Sequence, residues 1–405
     1  MVRDEGARVL AALVRVTGDW SLAEDATQDA VERALRVWPD SGVPANPRAW
    51  LLVAARHRAV DVIRRESQRR VKEALAAGAS PAPLVDVSDI SGLSDFPDDL
   101  LRLVFTCCHP ALSLEAQVAL ALRTLGGLST AEVARALVVP EATMAKRLTR
   151  ARQKITQARI PYRVPPSEEL PSRLAGVAAT VYLIFNEGYA AGSGDDVVRA
   201  SLTGEALHLG RMLLALMPDE PTVLGLLALM LLQDSRRAAR RDAAGLPVLL
   251  ADQDRTRWNR AAIREGVELT GAALRRSPGH PNPYAVQAAV AACHALAPTY
   301  AETPWDAVIS WYDVLLTVQD TPVARLNRAA AVAERDGPAA GLALTDALTG
   351  LTGYPWWHAT RAELLLRLGR ADEARTAYEH ALSLGMSAPQ AARLRFRLSD
   401  IDSPH

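Results

Sequence analysis

Apolar residues recur every three or four positions along almost the whole chain and strict alternation is nearly absent, so the pattern predicts helices rather than strands. Between residues 127 and 155 it resolves into two short helices. Ser129 and Glu132 form a Ser-x-x-Glu capping box, in which hydroxyl and carboxylate each satisfy an orphan backbone donor, so a first helix is expected from about Thr130. Val133, Ala134 and Leu137 give it one apolar face, the turn falls at Val138-Val139, and Pro140 suits the first turn of a second helix. There Met144, Leu148, Ala151 and Ile155 make a buried stripe, which leaves Thr143, Lys146, Arg147, Arg150 and Gln153 outward or on the flanks. A helix-turn-helix with a cationic outer face suits phosphates and guanine edges in a major groove.

A second basic helix is predicted after Asn46, a good cap, and Pro47, a good opener. Leu52, Ala55, Ala59 and Val62 supply its buried stripe, with His57, Asp61, Arg64, Arg65 and Gln68 opposite. From Arg48 to Arg70 seven arginines face two acids, Asp61 and Glu66, on a chain whose 46 basic and 46 acidic side chains otherwise cancel. That local field points to nucleic acid. Trp50, in the first turn beside Leu51 and Leu52, reads either as core or as a base-stacking platform. Upstream, Ser21 and Glu24 have capping-box spacing, and the helix they predict carries Asp25, Gln28, Asp29 and Glu32 on one stripe with Ala30, Val31, Ala34, Leu35 and Trp38 on the other side.

These three stretches, Ala23-Glu-Asp-Ala-Thr-Gln-Asp-Ala30, then Ala49-Trp-Leu with Ala54-Ala-Arg-His-Arg-Ala-Val-Asp-Val-Ile-Arg-Arg65, then the helix-turn-helix, resemble an extracytoplasmic-function sigma factor of bacterial RNA polymerase. The resemblance implies that Asp25, Gln28, Asp29 and Glu32 dock on the clamp helices of the polymerase largest subunit. It assigns recognition of the promoter minus-10 element to the helix bearing Trp50, Arg56, His57, Asp61, Arg64, Arg65 and Gln68. Recognition of the minus-35 element falls to the helix bearing Glu141, Thr143, Lys146, Arg147, Arg150 and Lys154. His57 stands where many relatives carry Asn, and its ring can still donate and accept hydrogen bonds. Arg64, Arg65, Lys146, Arg150 and Lys154 are the phosphate-positioning cations in this reading.

With 405 residues, about 240 remain beyond the DNA-binding parts, so further modules are expected. Ala and Leu at helical spacing predict an all-α chain: two small helical modules, the second a helix-turn-helix, then a helical domain and a short α-solenoid. The expected boundaries are 1–73 for the polymerase and minus-10 module, 74–97 for an acidic linker, 98–160 for the minus-35 module, 161–171 for a proline-rich connector, 172–277 for a helical extension and 278–400 for the repeats. The stretch from Ala74 to Asp99 holds Asp86, Asp89, Asp95, Asp98 and Asp99 and no cation, which reads as a solvated tether or as a mimic of nucleic acid. Helices are expected over Val177–Phe185, Val197–Met217 and Thr222–Arg240, with a loop at Gly-Ser-Gly 192–194. In the last segment the Arg-Ala pairs at 328–329 and 361–362 lie 33 residues apart, and Gly369-Arg-Ala-Asp-Glu-Ala374 with Tyr378 and Ala381 fits a tetratricopeptide helix pair. Tyr284–Leu296 with Trp305–Leu316 supplies a more divergent pair. The obvious use of such repeats is to hold a protein partner, and the long C-terminal extension is itself similar to that of one sigma-factor subgroup.

Adjacent Cys107 and Cys108 lack the spacing of zinc knuckles, and with Leu100, Leu101, Val104 and Phe105 around them they read as buried. No metal or other cofactor is expected. Glu187, His208 and Asp234 share no recognised catalytic spacing, so the chain reads as a binding subunit rather than an enzyme. The longest apolar run, Val223–Leu232, is too short to span a bilayer, so a cytoplasmic protein without a membrane partner is expected. Two alternatives remain at this point: a stand-alone helix-turn-helix regulator whose repeats sense a partner, and a helical metal protein or enzyme built on Cys107, Cys108 and His109.

Overall fold

A computed structural model describes residues 2–76, 97–137, 139–189, 196–242, 247–386 and 388–402. Among these residues the chain is all-α, with an isolated bridge between Arg241 and Pro247 as its β pairing. It divides into two compact units, 1–187 with 204–209, and 188–203 with 210–405. The expected acidic linker falls almost wholly at 77–96, outside the described residues, as do the 192–194 loop and Val138 of the predicted turn.

In the first unit, α1 (Val2–Thr17), α2 (Trp20–Ser41) and α3 (Pro47–Ala76) pack on one another. Their contact surface is rich in alanine: Ala11, Ala23, Ala26, Ala34, Ala55 and Ala59 are fully buried, and small side chains let helix backbones approach closely. The α3 start is as expected, with the Ala49 amide donating to Asn46 Oδ1 at 3.0 Å. Its buried stripe runs through Leu51, Ala55 and Ala59, and Leu52 and Val62 are only half-buried. The α2 start differs from expectation. Asp19, in extended backbone, caps it by accepting from the Leu22 amide at 3.1 Å, and Ser21 lies exposed inside the first turn. Leu35, expected on the buried side, is 62 % exposed because it continues the Gln28–Glu32 stripe by one more helical turn.

The second half of this unit comprises α4 (Pro97–Cys107), α5 (Leu114–Thr124), α6 (Thr130–Ala136) and α7 (Glu141–Gln157). The capping box forms: the Ser129 amide donates to Glu132 Oε2 at 2.7 Å and the Glu132 amide to Ser129 Oγ at 3.2 Å. Pro140 is the N-cap of α7 rather than its first helical residue, and Met144, Leu148, Ala151 and Ile155 are buried as a stripe. Asp99, read as part of the acidic tether, instead lies buried in the first turn of α4, where Arg15 and Arg102 flank its carboxylate. The connector after Ile160 is not free either. The Tyr162 hydroxyl donates to the carbonyls of Ala11, at 2.8 Å, and Asp99, at 3.0 Å. Helix α8 (Leu170–Tyr189) starts well before Val177 and lies against α4 and α5, with Arg173 Nη2 donating to the Phe105 carbonyl at 2.8 Å and Gly176 beside Gln117. Helix α9 (Asp196–Leu216) contributes 204–209 to this unit and the rest to the second.

The centre of the second unit is α10 (Pro221–Asp234), whose residues Val223 to Leu232 are buried all round. It ends at Asp234, six residues short of the expected Arg240, and a short 3-10 turn, Arg237–Ala239, follows. Around it pack α11 (Arg260–Arg276) and α12 (Pro283–Leu296), followed by α13 (Trp305–Val318), α14 (Pro322–Asp336), α15 (Pro338–Asp346), α16 (Pro355–Arg367), α17 (Ala371–Ser383) and α18 (Ala388–Asp402). Proline opens α10, α12, α14, α15 and α16, where its missing N–H costs nothing. From α12 onward each helix contacts the next, the nearest-neighbour packing of a solenoid. The 33-residue repeat has a structural counterpart: Arg328 Nε bonds Asp313 at 2.6 Å and Arg361 Nε bonds Asp346 at 2.7 Å, both partners shifting by the same interval. Among the described residues no helix is long and apolar enough to cross a membrane.

Two helices in this unit meet backbone to backbone. A Cβ on Gly225 of α10 would stand 2.6 Å from the Ala285 amide nitrogen of α12, and backbone cannot swing aside as a side chain can. Gly225→Ala is therefore expected to destabilise the chain by about 1–3 kcal/mol through overpacking. A chemical denaturation midpoint unchanged from wild type would contradict this close approach.

Candidate nucleic-acid interface

The outer face of α7 is set by its buried stripe. With Met144, Leu148, Ala151 and Ile155 inward, Glu141, Thr143, Lys146, Arg150 and Lys154 are exposed and Arg147 is half-buried. The same cations line an open groove of about 500 Å³ shared with Ser113 and Ala116 of α5. Ser113 is the N-cap of α5, so the positive end of that helix dipole adds to the four cationic side chains along the wall. An anion running along this groove would meet charge of one sign.

The α3 face is comparable. His57, Asp61, Arg64, Arg65 and Gln68 are exposed and Arg56 is half-buried. Arg58 of this helix is engaged by Asp29 of α2 as an ion pair, so one residue of the acidic stripe already has an internal partner. Along the same stripe Asp25, Gln28, Asp29 and Glu32 are all exposed, and Gln28 Nε2 donates to Glu32 Oε1 at 3.2 Å. Trp50 takes an intermediate place. Its ring stands edge-on to the buried Trp38, with centroids 5.4 Å apart, and the Arg33 guanidinium lies 5.9 Å from its centroid. It is half-buried, so part of the indole packs on α2 and part faces solvent.

One arrangement escaped the sequence reading. Glu24, given to a capping box with Ser21, turns inward: Arg152 Nη2 of α7 lies 2.7 Å from its Oε2, and Arg123 Nη2 of α5 lies 3.1 Å from its Oε1. A signal was available. Glu24 interrupts the stripe Trp20, Thr27, Ala34 and Trp38, and a carboxylate on a buried stripe requires cationic partners.

Family comparisons agree with this geometry. Residues 1–69 match the family Sigma-70 region 2, and residues 102–155 match Sigma-70, region 4. The ECF RNA polymerase sigma factor SigK of Mycobacterium bovis (strain BCG / Pasteur 1173P2) is 30 % identical over 146 residues, covering 35 % of this chain and 74 % of SigK. The chain belongs to the extracytoplasmic-function sigma-factor family. It is a factor for promoter-directed transcription initiation, and the family binds core RNA polymerase and promoter DNA without itself being catalytic. The probable ECF RNA polymerase sigma factor SigI of Mycobacterium tuberculosis (strain ATCC 25618 / H37Rv) is also 30 % identical, over 158 residues, and the chain spans about half, 52 %, of its length. An uncharacterized protein of Rhizobium meliloti (strain 1021) is 43 % identical over 397 residues, 97 % of this chain and 93 % of that protein. Residues 173–274 match a family of unknown function, DUF6596. Among solved structures, a thermophilic TPR protein of Thermus thermophilus aligns with 55 % of this chain and 98 % of its own, at 18 % identity and a TM-score of 0.36. The stand-alone regulator reading has no counterpart for the region 2 match.

Two of the three cysteines of this sigma factor, Cys107 and Cys108, belong to its core, and Cys293 is half-buried. Cys107 and Cys108 are buried and unbridged, and no cluster of metal-binding side chains occurs among the described residues. Burial pushes the Cys108 thiol up to about 12, against hydrogen bonding from Thr180, and raises Cys107 as well, with Cys108 adding to the effect. His109 is displaced downward by partial burial and by Arg173. With the thiolate form suppressed, Cys107 and Cys108 are expected to resist thiol-specific reagents at pH 8 until denaturant is added. Rapid labelling of both in the native protein would contradict their place in the core.

Proposed function

We propose that this sigma factor carries core polymerase to two promoter elements through separate surfaces. Asp25, Gln28, Asp29 and Glu32 dock on the polymerase. Trp50, Arg56, His57, Asp61, Arg64, Arg65 and Gln68 engage the minus-10 element. Glu141, Thr143, Lys146, Arg147, Arg150 and Lys154 engage the minus-35 element. The observation that carries this reading is the exposure of both cationic helix faces on a chain of zero net charge, each within a matched sigma region. Arginine and lysine on phosphates set register, and the few base-edge contacts set selectivity. Each face binds weakly alone, and joining both to one polymerase makes the second contact effectively intramolecular.

The C-terminal extension supports productive initiation in this reading. Its first helix, α8, is built into the same unit as α4 and α5, through Arg173 and Gly176, and its repeats offer a surface to a protein partner. The protein acts in the cytoplasm, where its polymerase is.

Reversing charge at Asp25 and Asp29 together is expected to abolish co-purification with core polymerase, and undiminished association would refute the docking assignment. Lys146→Ala should weaken promoter binding across sequences and lower the slope of log affinity against log salt by about one, whereas loss of a base-reading residue should cost about 1–3 kcal/mol at one position. Equal losses on every promoter from both kinds of variant would contradict this division of labour. A chain truncated after Ile160, checked for helix content, should fail in promoter-dependent transcription. Wild-type transcription from it would contradict a required extension, and increased transcription would mark the extension as an inhibitor.

A further inference from the structure

In the second unit, the segment between α10 and α11 holds cations that the DNA-facing surfaces do not use. Arg255, which opens a short 3-10 turn, is only 9 % exposed and runs its guanidinium onto the C-terminal end of α12. Its Nη1 donates to the carbonyls of His294, at 2.6 Å, and Ala297, at 2.8 Å, and its guanidinium carbon lies 4.6 Å from the centre of the Trp258 ring. The charged groups that act on it are Arg236, just past the end of α10, and Arg260, the first residue of α11, so both have its own sign. Arg236 donates to the Tyr189 hydroxyl and to Gln233 Oε1, each at 2.8 Å, and both acceptors are neutral. Asp234, Asp254 and Glu302 are engaged by Arg237, Thr256 and Thr299. Among the described residues no carboxylate pairs with Arg236, Arg255 or Arg260.

The same corner concentrates buried polar atoms. Arg255 Nη2, Trp258 Nε1, His294 Nδ1 and Thr303 Oγ1 are shut off from solvent and have no hydrogen-bond partner among the described residues. Trp258 and Thr303 are 3 % and 4 % exposed. The rings of His294 and Tyr300 both stand edge-on to Trp305, with centroids 5.4 and 5.3 Å away, and the Thr303 amide donates to the Tyr300 carbonyl at 3.2 Å. The loop after α12 is thereby folded back on the helix end that Arg255 holds. What the four atoms share is a hydrogen to give. Arginine and tryptophan only donate, a hydroxyl can donate, and burial, reinforced by Arg236 and Arg255, lowers the His294 ring to about 4, so that it is neutral at pH 7 and carries one N–H. A buried donor without an acceptor is costly, and an unpaired buried charge more so. A neutral hydroxyl would answer some of these donors while adding a hydrogen of its own. An oxyanion brings acceptors alone, together with the missing negative charge. Gln253 Oε1, an acceptor likewise without a partner, suits the hydroxyl that a monohydrogen phosphate retains.

We propose that this corner of the second unit binds the phosphate group of a small molecule or the free phosphate ion, with Arg236, Arg255 and Trp258 as its principal donors and His294 and Thr303 completing the shell. Three arginines without acidic partners call for more than the single charge of a carboxylate, and a phosphate monoester carries about −1.5 to −2 at pH 7. Guanidinium groups present paired N–H donors that match phosphate oxygens, and Arg255 has one of its two terminal nitrogens already fixed on α12 and the other uncommitted. Donors shielded from solvent take a compact group rather than a nucleic-acid strand, which binds along exposed cations. Once bound, the anion joins the end of α10, through Arg236, to the end of α12, through Arg255. This inference is independent of the promoter assignments above.

The test is titration calorimetry of the full-length protein with inorganic phosphate, with a nucleoside monophosphate, and with acetate at equal ionic strength. Saturable uptake of phosphate with a Kd below about 1 mM is expected, together with a thermal midpoint that rises with phosphate concentration and does not rise with acetate. Tighter uptake of the nucleoside monophosphate would identify a phosphorylated small molecule as the ligand, and preference for inorganic phosphate would identify the free ion; either supports the site. Trp258→Phe keeps a ring against Arg255 and removes the N–H, so it should weaken uptake at least about tenfold. Arg255→Gln should abolish it. Because Arg255 also holds the end of α12, Trp258→Phe carries the test should the arginine variant fail to fold. Absence of saturable uptake would overturn the proposal, as would acetate binding as tightly as phosphate. Uptake undiminished in Trp258→Phe would overturn it too, by placing the anion elsewhere on the chain.

Discussion

A carboxylate taken out of water must find positive charge, and in this sigma factor Glu24 finds it on two helices distant in sequence. That interaction ties α7 and α5 to α2, alongside the packing of α1 on α4, and so helps set where the two cationic surfaces lie within one unit. Removing either arginine would leave the largely shielded Glu24 carboxylate with less positive charge around it.

The two cationic faces follow from the same logic of amphipathic helices. Once Met144, Leu148, Ala151 and Ile155 are buried, α7 must present its arginines and lysines outward, and burial of Leu51, Ala55 and Ala59 does the same for α3. The acidic stripe on α2 is the complementary outcome on the third helix. Extension and factor are also continuous in a physical sense: Tyr162 of the connector and Arg173 of α8 donate to backbone carbonyls of α1 and α4, so the chain leaving the DNA-binding modules is anchored before the repeats begin.

Much of this was legible in the sequence because it is local. The Ser129–Glu132 box and the Asn46 cap with Pro47 behind it each depend on residues a few positions apart, and the α7 stripe depends on helical periodicity alone. The 33-residue repeat was legible too, and its ion pairs repeat at that interval. Errors arose where two local solutions competed or where the partner was remote. Asp19 displaced Ser21 as the cap of α2 because its backbone was already extended. Glu24 and Asp99 looked like capping or solvated acids and were claimed by arginines 84 to 128 residues away. Tyr162 lay in a proline-rich stretch whose composition suggested a free connector, and only its two carbonyl acceptors make it a fixed point. Periodicity gave the exposure of the cationic side chains, whereas the proximity of their helices had no local signature.

If the two faces and the acidic stripe act as assigned, this chain starts transcription only together with polymerase. Run-off transcription on a genomic promoter library, with purified full-length protein and core RNA polymerase, tests this most directly. Transcripts should begin at a discrete set of sites sharing two spaced elements, and should be absent when either component is left out. No transcript from any site in the library, or initiation by core enzyme alone at the same sites, would contradict the account.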